Sequence, residues 1–521
     1  MTDNRRFTAA VALIVALGGF LMGFDASVIS GVVGFIEAEF SLTKIELGWA
    51  VASLTLTATA AMMVAGPLSD RMGRLPVLRI AAVLFAVSAI ASAVAPNFLF
   101  LVIARMIGGL GVGAALIIAP MYIAEIAPAE SRGRLVSFNQ LNIVIGISAA
   151  FFSNYLILKL GQSSLGWIQE AGLSEWAWRW MLGVETVPAL IYLMGLMAVP
   201  ESPRWLAMHG RDAEARSMLE KFNDRDGAQA ALDAIHASLA EGSGASKASL
   251  KELFSPAMRF VVTLGLIVGI LQQITGINAV FFYAPMIFEQ SGIGTDASFM
   301  QAVLVGLVNL VFTVLAMSLI DRIGRRPLLC AGLAGIAICM LTLSWGFSQA
   351  TYTLDEADLQ ALETSVDVQR FAAVNGVTFG SDVEFREALT AALGAEAYSD
   401  NESALVNAAI SVNPTLILLA ILGFVASFAM SLGPVMWVLF SELFPNLIRG
   451  LAISFVGLVN SAVSFGVQFL FPWQLENLGN ATTFLIFGAF ATVGLVLVVR
   501  LLPETKGRTL EQLEAELVRA S

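Results

Sequence analysis

Residues 66–78 read GPLSDRMGRLPVL and residues 318–329 read SLIDRIGRRPLL, so Asp-Arg-x-Gly-Arg-x-Pro-x-Leu occurs twice, beginning at Asp70 and at Asp321, 251 positions apart. A second pair, AEIAPAESRGRLVSF at 124–138 and SELFPNLIRGLAISF at 441–455, aligns Glu125 with Glu442 and Arg132 with Arg449 at an offset of 317. The offsets differ by 66 residues, the size of one strongly acidic segment, 350–413. The chain therefore reads as two copies of one unit, the second carrying an insertion. A third pair, Pro200-Glu201-Ser202 and Pro503-Glu504-Thr505, closes each copy.

The composition says what kind of unit is repeated. Of 521 residues, 57% are apolar and only 13% charged, about half the usual charged share. This excludes a disordered chain, a basic nucleic-acid binder and a small disulfide scaffold. The apolar residues form long blocks without period-2 alternation, which predicts membrane-spanning helices and not the strands of a barrel. Twelve such blocks lie near 8–35, 48–68, 77–95, 98–124, 137–158, 179–199, 260–288, 298–320, 328–348, 414–441, 449–473 and 481–502. The fold class expected is thus all-α, with twelve transmembrane helices in two pseudo-symmetric six-helix halves. The expected divisions are 1–202 for the first half, 203–258 for a cytoplasmic helical linker, 259–349 with 414–503 for the second half, and 504–521 for a cytoplasmic tail.

Lys and Arg concentrate in cytoplasmic loops. With the N-terminus inside, 23 of the 29 basic residues face the cytoplasm, five (Lys44, Lys159, Arg179, Arg370, Arg386) lie outside and Arg105 is intramembrane. Both termini are expected in the cytoplasm, with helix 1 an uncleaved span of a cell (inner) membrane protein. The net charge of −11 belongs mainly to residues 350–413, which hold 11 acids and two bases. That segment is expected to be a solvated, partly helical external insertion. Cys330 and Cys339 are nine residues apart on one helix, project to opposite sides and cannot pair.

Parallel six-helix repeats imply a transporter with a substrate site near the midplane between the halves. The residues at this point resemble the sugar porter family of the major facilitator superfamily, and most nearly its bacterial xylose and hexose–proton symporters. The resemblance rests on Gly23-Phe24-Asp25-Ala26-Ser27-Val28-Ile29-Ser30-Gly31, the two Asp-Arg-x-Gly-Arg loops, Pro200-Glu201-Ser202-Pro203-Arg204, Gln272-Gln273-Ile274-Thr275-Gly276-Ile277-Asn278 and Pro503-Glu504-Thr505-Lys506-Gly507. It covers nearly all the chain except the acidic insertion and much of the linker. One such loop says only major facilitator; the combination is specific for sugar porters.

Amides within membrane helices need hydrogen-bond partners. Gln140, Gln272, Gln273, Asn278, Asn309 and Asn460 are such residues. Each both donates and accepts, which suits vicinal hydroxyls. Each alone fits equally well an interhelical hydrogen bond worth ~0.6 kcal/mol. Residues 272, 276 and 283 are expected near one stripe of a continuous helix 7. The resemblance implies that Gln140, Gln272, Gln273, Asn278, Asn309 and Trp437 contact sugar, the indole meeting its C–H face. Phe24, Phe282, Tyr283 and Asn460 complete the expected set. Phe282-Tyr283 stands where the family often has Tyr-Tyr, and Asn460-Ser461 where it has an amide-Trp pair.

Charge inside the membrane costs ~2.5–3.5 kcal/mol per Asp or Arg on insertion scales. Asp25, Arg105 and Glu185 are the clearest cases. A buried Asp opposite an Arg has its proton affinity set by desolvation against the cation. Moving Arg105 would make Asp25 bind or release a proton. The resemblance agrees, because proton-coupled members carry Asp at this position, an Arg in helix 4 and a Glu in helix 6. A static salt bridge locking two helices is the alternative.

At the cytoplasmic helix ends, Asp70, Arg71 and Arg74 in one half and Asp321, Arg322, Arg325 and Arg326 in the other face Glu125, Arg132, Glu442 and Arg449, as a latch or as topology-setting charge. Gly433-Pro434 marks an expected bend in helix 10. Segment 203–258 reads as amphipathic helices, with Leu219, Phe222, Leu232, Ile235 and Leu239 as the apolar set. The activity expected is proton-coupled symport of a neutral hexose or pentose. The partners are sugar, proton and bilayer, for a chain working as a monomer. The rivals are a passive uniporter, a polyol or inositol symporter, an organic-anion or drug transporter and a sugar sensor. No enzyme activity, metal, cofactor or nucleic acid is expected, since no metal-ligand cluster, nucleophile–base pair or phosphate loop stands out.

Overall fold

Inside hydrocarbon every backbone N–H and C=O must be satisfied within its own segment, so long apolar blocks can only be helices. The computed structural model describes residues 3–127, 132–222, 225–244, 250–355, 357–358, 374–445, 448–508 and 512. Spans 1 to 10 are Arg6–Gly31, Lys44–Met72, Arg74–Ala93, Phe98–Ile126, Leu135–Gly161, Ala177–Ala198, Arg259–Glu289, Thr295–Ile323, Arg325–Ser348 and Pro414–Leu443. The last segment, Arg449–Leu501, has 53 residues and is broken at Gly479 (φ 76°, ψ 168°), so it supplies spans 11 and 12. Twelve spans follow.

Two compact units emerge. Unit 1 comprises Met1–Val28, Ser53–Ala150 and Glu175–Ala248; unit 2 comprises Ile29–Ala52, Phe151–Ser174 and Ser249–Ser521. Unit 2 thus takes in one end of spans 1, 2 and 5. There the ring of Trp49 on span 2 meets Phe465 and Phe469 on span 11 edge-on, with centroids 5.9 and 6.1 Å apart.

In unit 1, close packing relies on small residues. A Cβ on Gly109 or Gly113 of span 4 would collide with the Leu54 or Ala58 carbonyl of span 2. This Gly-x-x-x-Gly stripe lets the two backbones meet where apolar burial gives no drive. The linker forms helices Pro203–Met208, Asp212–Phe222, Arg225–Gly244 and Leu250–Leu253. Leu206, Ala215, Leu219, Ala228 and Leu232 are buried in a small core of their own. Phe222 anchors the linker to span 1, its ring 5.5 Å from that of Phe7.

In unit 2, span 7 departs from the continuous form expected, and span 10 breaks close to its expected bend. Span 7 stops at Ile274 and restarts at Ile277, with Gly276 at φ +93°, so 272, 276 and 283 share no stripe. A Cβ at Gly276 would stand 2.7 Å from the Phe487 ring, and only glycine adopts this left-handed turn cheaply. Span 10 breaks at Ser431 (φ −128°, ψ −95°), two residues before the expected Gly433-Pro434 bend.

The acidic insertion has more structure than a solvated, partly helical segment. Strand β1 (Thr351–Thr353) pairs antiparallel with β2 (Thr378–Phe379) and with β3 (Ile410–Ser411), in the order β2-β1-β3. Helices Asp382–Leu393 and Ala395–Ala409 stand between β2 and β3. Its core holds Tyr352, Leu354, Phe385, Leu389, Leu393, Tyr398 and Leu405.

Candidate functional site

In unit 1, Asp25 on span 1, Arg105 on span 4 and Glu185 on span 6 are each no more than 3% exposed. Arg105 Nη1 donates to Asp25 Oδ1 at 3.4 Å, and Nη2 lies 3.5 Å from the Asp25 carbonyl. The second carboxylate oxygen of Asp25 has no hydrogen-bond partner among the described residues. It looks at Gly108, where a Cβ would come within 2.7 Å of it and within 2.5 Å of Ser88 Oγ. Glu185 stands where span 6 is interrupted between helices Ala177–Gly183 and Thr186–Ala198, and it feels the charges of both Asp25 and Arg105. The sequence thus places three ionisable groups within one electrostatic reach. Gln140 is half-buried on span 5, and Phe24 is buried with its ring 5.9 Å from that of Phe20.

In unit 2 the amides meet. Asn460 Nδ2 on span 11 donates to Gln272 Oε1 at 2.7 Å and to the Gly269 carbonyl at 2.8 Å. Gln273 Nε2 reaches Gln272 Oε1 at 3.1 Å and Asn460 Oδ1 at 3.3 Å. Asn278 Nδ2 donates to Gln273 Oε1 at 2.8 Å and to Ser464 Oγ at 2.7 Å. The turn at Gly276 makes this possible, folding Asn278 back onto Gln273. Asn309 is buried on span 8, Phe282 is buried, and Trp437 is half-exposed with its ring edge-on to Phe440 at 6.0 Å. Tyr283 is fully buried, and its hydroxyl donates to the Gln468 carbonyl at 3.0 Å. That bond holds spans 7 and 11 together in this structure.

At the helix ends that carry the repeated Asp-Arg-x-Gly-Arg motif, each unit has the same clasp. Arg74 grips Glu125 through Nε (3.2 Å) and Nη2 (3.0 Å), and pairs with Asp70 at 2.7 Å. Arg325 grips Glu442 through Nε (3.1 Å) and Nη2 (2.7 Å), and pairs with Asp321 at 3.1 Å. Ser202 and Thr505 donate to the same glutamates. These pairs close within a unit. Arg71 and Arg322 are exposed, Arg449 Nε donates to the Phe444 carbonyl at 3.0 Å, and the Arg132 side chain lies outside the described residues. Glu201 and Glu504 were not in the candidate set. Glu201 accepts from the N–H groups of Arg74 (3.1 Å) and Leu75 (3.2 Å), and Glu504 from those of Arg325 and Arg326 (3.1 Å each). Each caps a helix that starts after a glycine of positive φ, Gly73 (+103°) or Gly324 (+108°). Burial pushes the Glu201 carboxyl above its ordinary value, against the pull of those N–H donors. The doubled Pro-Glu-Ser/Thr was the available signal.

A second cluster, in unit 2, lies outside every expected site. Lys44 Nζ sits 2.5 Å from Glu37 and 3.0 Å from Glu402 of the insertion, and Arg386 Nε is 3.6 Å from Glu402. Burial raises the Glu402 carboxyl, but Lys44 and Arg386 outweigh it and hold the group below its ordinary value. Asp382 accepts from the backbone N–H (2.8 Å) and side chain (2.9 Å) of Asn480, at the turn between spans 11 and 12.

Residues 11–361 and 388–517 match the family model described as sugar (and other) transporter. The chain belongs to this sugar transporter family. It is 33% identical over 513 residues to the arabinose-proton symporter of Bacillus subtilis (strain 168), covering 98% of this chain and 94% of that one. It is 34% identical over 544 residues to the D-xylose-proton symporter of Escherichia coli (strain K12), covering 98% and 96%. The solved inward-open conformation of the xylose transporter XylE from E. coli aligns with a TM-score of 0.74 at 32% identity, covering 98% of this chain and 99% of that one. This multi-pass membrane protein is a transporter of the major facilitator type, not an enzyme.

Proposed function

We propose that this transporter carries a neutral monosaccharide, a pentose or hexose, into the cytoplasm with a proton, by alternating access. The relatives named above as arabinose-proton and D-xylose-proton symporters support that class. The observation that carries the proton step is the buried Asp25–Arg105 contact at 3.4 Å with one carboxylate oxygen unpartnered. A carboxylate gripped at one oxygen only can exchange its cation for a proton, with Glu185 as an auxiliary charge.

The amides Gln272, Gln273, Asn278, Asn309 and Asn460, with Trp437 and Phe282, are proposed as sugar contacts. Gln140 and Phe24 are proposed as further contacts from unit 1, and Tyr283 as a group that must leave the Gln468 carbonyl before it can serve. The arginine–glutamate clasps are proposed as the cytoplasmic latch elements, acting within each half. The protein is proposed to work as a monomer in a cell (inner) membrane with both termini in the cytoplasm.

One proton gives ~2.3 kcal/mol per 100 mV, which at 1.36 kcal/mol per decade is roughly 50-fold accumulation. The test is labelled D-xylose and D-glucose uptake into proteoliposomes, with and without an inward proton gradient, for the native chain and Asp25→Asn. The expected result is gradient-dependent overshoot that Asp25→Asn abolishes while exchange persists. Simple equilibration, unaffected by Asp25→Asn, would make the pair structural and the protein a facilitator.

A further inference from the structure

The amide network on spans 7 and 11 has a direction. An amide presents a donor or an acceptor according to which end its other partners occupy. The Gly269 carbonyl can only accept, so the Asn460 end facing it at 2.8 Å is the nitrogen. Asn460 Oδ1 therefore faces a donor, Gln273 Nε2, and Gln273 turns its oxygen to Asn278 Nδ2. The second hydrogen of Asn278 Nδ2 goes to Ser464 Oγ, which also accepts from Gln468 Nε2 at 2.8 Å. Asn460, Ser464 and Gln468 recur every four residues, so one stripe of span 11 supplies the ends of the relay. Gln468 is 1% exposed and Ser464 5%, costly positions in a membrane for groups without a task.

The consequence concerns polarity. Both hydrogens of Asn278 Nδ2 are used inside the network, leaving Oδ1 as the open end of a partly buried side chain. Gln272 is the reverse: its Oε1 takes two N–H groups, while its Nε2 makes, among the described residues, one long contact, 3.4 Å to the Leu432 carbonyl. We propose that Ser464 and Gln468 are positioning residues that, together with Gln273, hold Asn278 with its carbonyl toward the sugar, so the site demands a donating hydroxyl at Asn278 and an accepting one at Gln272. This rests on the sugar reading above. It explains how a set of amides, each able to flip, reads one orientation of a polyol and not its reverse.

Proteoliposomes holding native protein, Ser464→Ala, Ser464→Thr or Gln468→Met, and competing deoxy- and deoxyfluoro-D-glucoses, provide the test. One lost hydrogen bond of about 1 kcal/mol corresponds to a roughly fivefold rise in sugar KM. Ser464→Ala is expected to show that rise with the maximal rate within about twofold, Ser464→Thr to restore KM, and Gln468→Met to follow Ser464→Ala. Fluorine accepts weakly and cannot donate. In the native protein one fluoro analogue should compete as poorly as its deoxy partner, at the hydroxyl facing Asn278, and another should compete better than its deoxy partner, at the hydroxyl facing Gln272. In Ser464→Ala, where Gln273 Oε1 alone still holds the Asn278 nitrogen, the first fluoro analogue should begin to compete better than its deoxy partner. An unchanged KM in Ser464→Ala, or fluoro analogues that beat their deoxy partners at every position, overturns the assignment. Equal falls in KM-corrected rate and proton response would show a merely structural role and overturn it too. If Ser464→Ala fails to fold, Gln468→Met and the native analogue series decide. Native uptake that occurs while these results fail removes this inference alone; no native uptake of any sugar removes the function reading with it.

Discussion

Glu402→Gln should loosen the attachment of the acidic insertion without unfolding the spans. Glu402 shares Lys44 with Glu37 and also faces Arg386, with side-chain exposures of 22% for Glu402 and 10% for Lys44. Removing one partner of a fully buried pair costs about 3–5 kcal/mol. Here the residual exposure allows solvent screening, and Lys44 keeps Glu37 at 2.5 Å, so roughly 1.5 kcal/mol is the expected loss. That is about tenfold in the ratio of docked to undocked insertion. Hydrogen exchange at pH 7 reads it directly: amides of Asp382–Leu393 and of β3 should exchange about tenfold faster in the variant, while spans 3 and 4 stay unchanged. The pH dependence has a definite sign. The Glu402 carboxyl is held below its ordinary 4.5, so its contribution is complete above that value and is lost as pH falls through the lower folded value. Burial pushes Glu37 up, which works in the opposite sense above 4.5, so the Glu402 effect is read below it. Exchange in Glu402→Gln within twofold of native at pH 7 would refute the reasoning, because the ion pair would then contribute nothing to docking.

Gly108→Val should abolish gradient-driven sugar accumulation, since its Cβ alone would stand 2.7 Å from the open oxygen of Asp25; uptake with and without a proton gradient checks it. Glu201→Gln and Glu504→Gln each weaken a helix cap and should each lower stability by about 1 kcal/mol. Their effects should add in thermal melts of the detergent-solubilised protein, because the two caps share no partner. Gly113→Leu should prevent spans 2 and 4 from meeting and reduce the yield of monodisperse protein on size-exclusion chromatography more than Gly133→Leu, where a Cβ has open space.

The repeat at Asp70 and Asp321 was enough to establish two six-helix halves, because apolar length and duplicated loops are properties of the chain itself. The amides could be picked out for the same reason: a Gln in hydrocarbon advertises a partner. Which partner it finds is a different matter. The stripe through 272, 276 and 283 failed because Gly276 (φ +93°) and Tyr283 (φ −125°) leave helical dihedrals, and periodicity carries no information about a single dihedral. Tyr283 then turns to the Gln468 carbonyl, 185 positions away. Ser464 and Gln468 escaped notice as ordinary polar residues on span 11. The insertion's sheet was invisible because strands of two or three residues are too short to show alternation. Lys44 and Glu402 are 358 positions apart, and nothing local links them. Glu201 and Glu504 were in plain view as a doubled motif, but their task as caps depends on the positive φ of Gly73 and Gly324.

Asp382 belongs to the insertion, yet it supplies the acceptor for Asn480 where spans 11 and 12 meet, in a turn so tight that a Cβ at Gly479 would lie 2.5 Å from the carboxylate. Anyone trimming this protein for crystallisation should therefore not treat residues 350–413 as a removable loop. Cutting them out removes the acceptor of two Asn480 N–H groups at that turn. An epitope, fluorophore or fusion partner belongs instead at Gly376, whose φ of +70° and open surroundings mark an exposed turn just ahead of β2, where added chain would leave the Asp382 contact intact.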